Sequence, residues 1–283
     1  MMSVSDHELS TLAASHDIIA IGMLADDVRK QRHGLRTTFV RVSHVDATPG
    51  AAIAVAPAAG ELRIDGTPAT RAAALARVQE VAAVAHGVPL SGFSLADLEQ
   101  LAAKEHVTLR AFLEDLQAAG LELVAEAPFD SLRDPRRSIE EVNIAGLSLA
   151  RLTFHRLPSA DSTASLRQVA ALQYTVGVVH AFAPLPRRVN PAVPTTGYDD
   201  VKRVALARLI VDNIPSIQVD WALYGAKLAQ VALTVGADDV DDVSAEDDLS
   251  EGVRRAPLEE IQRNIRAAGL EPVERNGRFD TMA

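Results

Sequence analysis

The feature that most constrains the fold is the regular alternation of helical and extended patterns along the chain. One helical stripe is built from Leu109, Phe112, Leu113 and Leu116. It ends at Gly120, a natural helix terminator, and the apolar run 121–125 follows. Similar units recur around Gly146, Gly177 and Gly236. Because alternating strands and helices form parallel sheets with right-handed crossovers, about six such units predict an α/β fold, a partial or complete TIM-like (β/α) barrel.

The length of the chain suits one large domain, so we predict a single barrel domain over residues 1–283. Residues 1–36 predict an N-terminal helical extension. The barrel core is expected over 37–243, with its first strand at 37–45. Residues 244–283 predict a C-terminal extension made of one helix and one short strand.

The balance of charge excludes several kinds of partner. Asp and Glu total 38 against 28 Lys and Arg, which gives a formal net charge of −10. An acidic chain is repelled by phosphate backbones and by anionic membrane surfaces, so we expect neither nucleic acid nor membrane as a partner. The first residues lack the pattern of a secretory signal, and apolar runs such as 51–59 are too short to span a bilayer. These features predict a cytoplasmic protein.

The sequence contains no cysteine. It therefore has no disulfides and no thiolate metal ligands, and a conventional iron–sulfur cluster is excluded because such clusters are held mainly by cysteine thiolates. We find no P-loop, GxGxxG, GxSxG or HExxH motif, so neither a dinucleotide enzyme nor a hydrolase is favoured. We expect no metal and no resident cofactor.

The most specific motif lies between residues 201 and 243. Its landmarks are Ala207, Arg208, Leu209, Asp212, Asn213, Ile214, Pro215, Trp221, Gly225, Lys227, Gln230, Gly236, Asp238 and Asp239. The combined string resembles the aminofutalosine synthase group of radical SAM enzymes, which act in the futalosine route to menaquinone. Weaker similarity extends to Phe93–Gly120 and to residues 268–275.

This resemblance implies a barrel of the radical SAM type, and the departures from it are informative. The family's three cysteines should fall within residues 46–57, which read DATPGAAIAVAP. The glycine-rich motif that meets SAM has no counterpart, and the chain is about one βα unit short between Gly66 and Phe93. The sequence is therefore identified as a cysteine-free, degenerate homologue that cannot cleave SAM reductively by itself.

Three histidines are candidates for a ligand site. His44, His155 and His180 lie in or next to predicted strands, and functional groups of such barrels sit at the C-terminal ends of strands. Together they can bind a metal or act as acid–base groups. The spacing alone shows no shared site, however, so unrelated strand and loop histidines are the favoured interpretation.

Four carboxylates complete the candidate ligand-binding residues. Asp220 and Gln218 share one face of an alternating strand, and a buried Asp220 would need a partner. By the resemblance, Glu126 is the remnant of a family motif, and Asp238 and Asp239 form a turn at the substrate end of the barrel. The surrounding stretch, 238–251, is otherwise expected to be a solvated acidic loop.

Arg187 lies in a proline-rich segment, 184–196, that is expected to be a solvated loop, although an arginine there can meet an anionic ligand.

Two functions follow from these observations. The first is a pseudoenzyme that serves as a partner or regulator of a catalytic futalosine-pathway enzyme, or that binds a small-molecule ligand. The second is a non-radical lyase or isomerase acting on a chorismate-derived or nucleoside-like intermediate. A single closed pocket lined by His44, His155, Asp220 and Asp238 would favour the second.

Overall fold

The computed structural model describes residues 11–157, 162–188, 195–247 and 256–282. Parts of three predicted segments, at residues 1–10, 189–194 and 248–251, lie outside the described residues. The strands are β1 (Arg36–Asp46), β2 (Glu61–Asp65), β3 (Leu90–Ser94), β4 (Leu123–Pro128), β5 (Ser148–Leu149), β6 (Leu152–Phe154), β7 (Ala181–Pro186), β8 (Ser216–Asp220), β9 (Asp239–Ser244) and β10 (Glu271–Arg275). The helices are α1 (Ile18–His33), α2 (Arg71–Ala82), α3 (Leu95–Lys104), α4 (Leu109–Ala118), α5 (Pro135–Ile144), α6 (Ser162–Val176), α7 (Gly197–Ile210), α8 (Trp221–Leu233) and α9 (Pro257–Ala267).

The strands form a closed parallel barrel. The strands pair in the order β10-β1-β2-β3-β4-β6-β7-β8-β9, and β9 pairs back with β1 through Thr38–Asp239 and Phe39–Val240. Strands β5 and β6 both pair with β4 and share one of eight strand positions. The predicted TIM-like barrel is therefore confirmed, and it is complete. We call the end at which the strands finish the mouth, and the opposite end the base.

No strand of the barrel is missing, so the loss expected between Gly66 and Phe93 is corrected. That stretch contains helix α2 and leads directly into β3. Between β1 and β2, residues 47–60 cross over without a helix. This helix-free crossover includes most of the segment in which the family's cysteines were expected.

The main core lies between the barrel and its helices. The predicted stripe residues Phe112, Leu113 and Leu116 of α4 are fully buried. Helix α7 is buried along most of its length because α1 packs over it. None of the described helices is long and apolar enough to cross a membrane.

The C-terminal extension closes the base. Strand β10 pairs with the lower half of β1, from Arg36–Glu271 to Val40–Arg275, while β2 pairs with the upper half. The chain then turns beneath the barrel, and the N–H of Gly277 donates to the carbonyl of Gly60 (2.9 Å). A Cβ at Gly60 would lie 2.9 Å from the carbonyl oxygen of Arg275, so only glycine allows this approach.

Candidate functional site at the barrel mouth

Buried ion pairs fill the upper interior of the barrel. Arg63 of β2 donates to both carboxylate oxygens of Asp241 (2.9 and 3.2 Å) and to Glu61 (2.9 Å). Nη1 of Arg151, between β5 and β6, lies 2.6 Å from Oδ2 of Asp241, an oxygen that Arg63 also contacts. Burial alone raises the pKa of Asp241, but the charges of Arg151 and Arg63 outweigh it and hold that pKa far below its usual range. Asp241 is therefore ionised at neutral pH.

A second group of charges lies nearer the opening. The Arg187 guanidinium, directly after β7, donates to Asp220 and lies 3.4 Å from Glu126 of β4. Burial raises the pKa of Asp220, more strongly than Arg187 lowers it. Burial also raises the pKa of Glu126, but the His155 hydrogen bond and the charges of Arg151 and Arg187 lower it to about 2. Glu126 is thus ionised at neutral pH.

His44 joins three strands at the mouth. Its Nε2 lies 2.6 Å from a carboxylate oxygen of Asp242 on β9, and its Nδ1 donates to Asp65 on β2. These two hydrogen bonds outweigh burial and raise the pKa of His44 to about 10. The imidazole is therefore a cation with both nitrogens already paired, so it clamps the strands instead of offering a free base.

A cavity of about 170 Å³ opens among these groups. Its charged lining residues are Arg63, Arg151, Arg187, Asp65, Asp97 and Glu126. Three buried polar atoms among its lining residues make no hydrogen bond within the described part of the chain: Oγ of Ser94, Nε of Arg151 and Oε2 of Glu126. Unsatisfied buried polar groups are costly, so their presence marks a place where a ligand can supply the missing partners.

The structure brings some of the candidate residues together and separates others. Glu126, His155 and Asp220 meet at the mouth, and His44 lies across from them. Asp239 points into the barrel near the base, where Arg275 binds it with two hydrogen bonds (2.7 and 2.6 Å). Whether any of them binds a ligand remains a prediction.

Two expected positions are corrected. His180 precedes β7 and therefore lies at the base, where its ring stacks against Phe279 with 6.1 Å between the ring centroids. Asp238 precedes β9, so it also lies at the base, buried against Arg208. The expected solvated acidic loop is corrected as well, because its first part forms β9, and Asp239 and Asp241 are buried inside the barrel.

The landmark residues of the C-terminal motif are largely architectural. Arg208 donates to the carbonyl of Gly236 (2.8 Å) and pairs with Asp238. A Cβ at Gly236 would lie 2.8 Å from Cβ of Arg208, and its φ of +116° also favours glycine. These residues fix α7 against the turn before β9, away from the mouth.

Sequence reasoning missed the residues at the centre of the mouth, Arg63, Arg151 and Asp241. A signal was present, since Glu61, Arg63 and Asp65 occupy every second position of β2. Alternate strand residues share one face, and a charged face on a short barrel strand indicates a polar interior.

The donor set does not fit an iron–sulfur cluster. The chain has no cysteine, and among the described residues no group of three histidine or acidic side chains can hold a metal ion. Where the family's cysteine loop was expected, Arg77 of α2 donates to the carbonyls of Asp46 (2.7 Å) and Ala51 (3.0 Å), and the N–H of Gly50 donates to Glu80 (3.0 Å). The loop is thus fixed by hydrogen bonds from one helix.

Comparison with known proteins shows what the chain is similar to. Residues 183–283 match the model of the CofH/MqnC C-terminal region. The 5-amino-6-(D-ribitylamino)uracil–L-tyrosine 4-hydroxyphenyl transferase of Methanosphaerula palustris is 27% identical over 194 residues, which cover 59% of this chain and 53% of that protein. The aminodeoxyfutalosine synthase of Thermus thermophilus is 45% identical over 65 residues, 22% of this chain and 18% of that protein.

A third relative is the cyclic dehypoxanthine futalosine synthase of Streptomyces coelicolor, 26% identical over 153 residues, which cover 49% of this chain and 38% of that protein. The chain thus spans about half the length, or less, of the curated relatives it matches.

Solved structures agree on the fold. Methylornithine synthase superposes with a TM-score of 0.67 at 13% identity, covering 95% of this chain and 94% of that one. The [FeFe]-hydrogenase maturase HydG superposes with a TM-score of 0.63 at 11% identity, covering 96% and 72%. With the sequence matches and the absence of cysteine, the chain is a cysteine-free homologue of the radical SAM enzymes that include the aminodeoxyfutalosine and cyclic dehypoxanthine futalosine synthases.

Proposed function

We propose that this protein is a pseudoenzyme that binds a small charged ligand at the barrel mouth and acts as a partner or regulator of a catalytic enzyme of the futalosine route to menaquinone. The observation that carries the proposal is the mouth cavity, whose lining combines three arginines with three carboxylates and includes residues with polar atoms that make no hydrogen bond within the described part of the chain. The names of the relatives support the link to the pathway.

The polar atoms of the lining residues that make no hydrogen bond among the described residues indicate the chemistry of the ligand. All the hydrogen-bonding nitrogens of Arg63 are committed to Glu61 and Asp241, so this residue is structural. Within the part of the chain that the structure describes, Nε of Arg151 makes no hydrogen bond, and Oε2 of Glu126 accepts none although Nε of Arg187 lies 3.4 Å from it. A ligand with both an anionic acceptor and a donor group, such as a carboxylate beside a hydroxyl or amine, offers each of these atoms a hydrogen bond.

The lyase or isomerase alternative is less well supported. The pocket that would favour it needs His44, His155, Asp220 and Asp238 to line one space. Asp238 lies at the base, and both nitrogens of His44 are held by carboxylates.

Calorimetric titration tests the proposal with three probes, namely SAM, an aminofutalosine-type nucleoside and a chorismate-derived enol ether. We expect one of them to bind the wild-type protein and to raise its thermal stability, because a ligand at 100 times its Kd adds about 2.7 kcal/mol. Glu126→Gln should weaken binding about 10-fold or more, since it removes a charged acceptor.

The matched control is Glu122→Gln, which changes the same side-chain type near the base, where Glu122 pairs with Arg278. It should leave binding unchanged. Equal weakening in both variants, or no binding by any of the three probes, would contradict ligand binding at the mouth. Co-expression with a catalytic relative tests the partner role: a stoichiometric complex is expected, and its absence would contradict that role.

A further inference from the structure

A serine, a histidine and a glutamate form a continuous relay beside the mouth. Ser131 Oγ lies 3.1 Å from Nδ1 of His155, and Nε2 of His155 lies 3.2 Å from Oε1 of Glu126. Glu126 belongs to β4, Ser131 to the turn after it, and His155 directly follows β6. Neither the family relationship nor ligand binding accounts for this order of groups.

The protonation states follow from the partners. An ionised carboxylate only accepts hydrogen bonds, so Nε2 of His155 must carry the proton that it donates to Glu126. In the neutral imidazole Nδ1 is then an acceptor, and it receives the hydroxyl hydrogen of Ser131. A hydrogen bond in this direction, from the Ser131 hydroxyl to Nδ1, allows His155 to take the proton of Ser131.

The backbone holds the relay rigidly. The N–H of Phe129 donates to the carbonyl of Thr153 (2.8 Å), which extends the pairing of β4 with β6. The carboxylate of Asp130 accepts the N–H groups of His155 (2.7 Å) and Arg156 (2.9 Å). The loops that carry Ser131 and His155 are thus tied together by three hydrogen bonds, which is the preorganisation that a reactive group requires.

A nucleophile must be accessible to its substrate, and Ser131 is the most exposed member of the relay. Ser131 is exposed, whereas the side chains of His155 and Glu126 are 10% and 15% exposed.

We propose that Ser131 is the nucleophile of an acyl-transfer site that takes carboxylic esters, with His155 as general base and Glu126 as the group that orients it. Ser131 Oγ attacks the ester carbonyl while its proton passes to Nδ1 of His155. The tetrahedral intermediate collapses, the C–O bond to the alcohol breaks, and the alcohol leaves with the proton from His155. Water then attacks the acyl-serine, gives its proton to His155, and releases the carboxylic acid and the free hydroxyl.

This constellation has no short sequence signature. Its members come from two loops and a strand, which is why the lack of a GxSxG motif did not reveal it. Serine–histidine–acid groups recur on unrelated folds and are identified by geometry and role. In serine proteases, Nε2 of the histidine faces the serine and Nδ1 faces the acid. Here Nδ1 faces Ser131 and Nε2 faces Glu126, and the proton can still pass from the serine to the histidine.

A fluorophosphonate probe tests the proposal on the full chain, with intact mass and peptide mapping as the readouts. We expect one adduct per chain, located on Ser131, and none in Ser131→Ala. His155→Gln should slow labelling about 100-fold or more, because general-base catalysis typically contributes at least that factor. Glu126→Gln should slow it less, since it misorients the base without removing it.

Ser148→Ala is the matched control, because Ser148 is also exposed but lies near the base. It should label at the wild-type rate. No adduct on Ser131 in the wild-type protein overturns the proposal without any variant, and so does an adduct that forms equally fast in a folded His155→Gln. The binding titrations leave Ser131 untouched, so the two results are independent. Labelling of Ser131 would replace the pseudoenzyme part of the proposed function and leave its ligand-binding part standing.

Discussion

The two ends of the barrel use buried charge for different purposes. At the base, Asp239 is fully matched by Arg275, by the amide of Gln218 (2.7 Å) and by the hydroxyl of Thr38, and the C-terminal segment covers the opening. At the mouth, among the residues that the structure describes, Nε of Arg151 makes no hydrogen bond, and Oε2 of Glu126 accepts none although Nε of Arg187 lies 3.4 Å from it. The base is thus covered around a fully paired carboxylate, whereas the mouth keeps such atoms among the lining residues of a cavity.

The largest expected effect is at the base, in Arg275→Met. This change leaves the fully buried Asp239 without its cation and removes the contact between the Arg275 guanidinium and the Phe279 ring (4.1 Å). Breaking a buried pair by removing one partner costs about 3–5 kcal/mol, so we expect that loss in the free energy of unfolding, measured by urea denaturation.

Arg278→Met is the control for that measurement. Arg278 pairs with Glu122 on the same side of the molecule, but the two side chains are 42% and 37% exposed. Exposed pairs contribute at most about 1 kcal/mol, so this variant should be nearly neutral. Equal losses in the two variants would contradict the idea that complete pairing stabilises the base.

A smaller loss is expected at the mouth, in Arg187→Met. The side chain of Arg187 is 21% exposed, and Asp220 keeps its cap hydrogen bond from the N–H of Leu223 (2.7 Å). We expect a loss of about 1–3 kcal/mol, the cost of leaving one buried group short of a partner, together with loss of ligand binding. A loss as large as that of Arg275→Met would mean that both ends are closed in the same way.

The smallest expected effect is on the pH dependence of the free energy of unfolding, to which His44 contributes. Because the folded pKa is raised from 6.5 to about 10, His44 adds stability that is complete below pH 6.5 and lost as the pH rises towards 10. The side chain is 44% exposed, so solvent screens the interaction.

The measurement compares the wild-type protein with His44→Gln in urea from pH 5.5 to 10. We expect the difference in unfolding free energy to be largest at the acidic end and to shrink between pH 6.5 and 10. A difference that is constant across this range would show that the pairs with Asp65 and Asp242 contribute nothing to stability.

Much of the fold was predictable because the spacing of apolar residues along one element indicates which face of that element is buried. The stripe of α4 and the alternation of Gln218 and Asp220 on β8 both follow from side-chain geometry within one element. The order of the elements also predicted the barrel, because alternating strands and helices can form a closed parallel sheet in only a few ways. The placement of His180 failed because the start of its strand was not predicted to the residue: β7 begins at Ala181, directly after the histidine. The side chain therefore lies at the base and not at the mouth.

The site was harder to predict because its partners are distant in sequence. Arg63 and Asp241 are joined only when β2 and β9 both flank β1, and no local pattern contains that information. Ser131, His155 and Glu126 likewise meet through the pairing of β4 with β6. Sequence showed which residues are chemically able to act, whereas only the closed sheet shows which of them act together.

Strand β1 pairs with β10 along its first half and with β2 along its second half, and this has a consequence for folding during translation. Residues 36–40 emerge early from the ribosome, yet they hydrogen-bond with 271–275, which emerge last among the described strands. Until Arg275 arrives, Asp239 would have to remain in water or be buried without its cation, so the nascent chain gains little by closing early. Closure of the ring should therefore follow translation of α9 and β10, and the strands made before them are expected to complete their pairing only then.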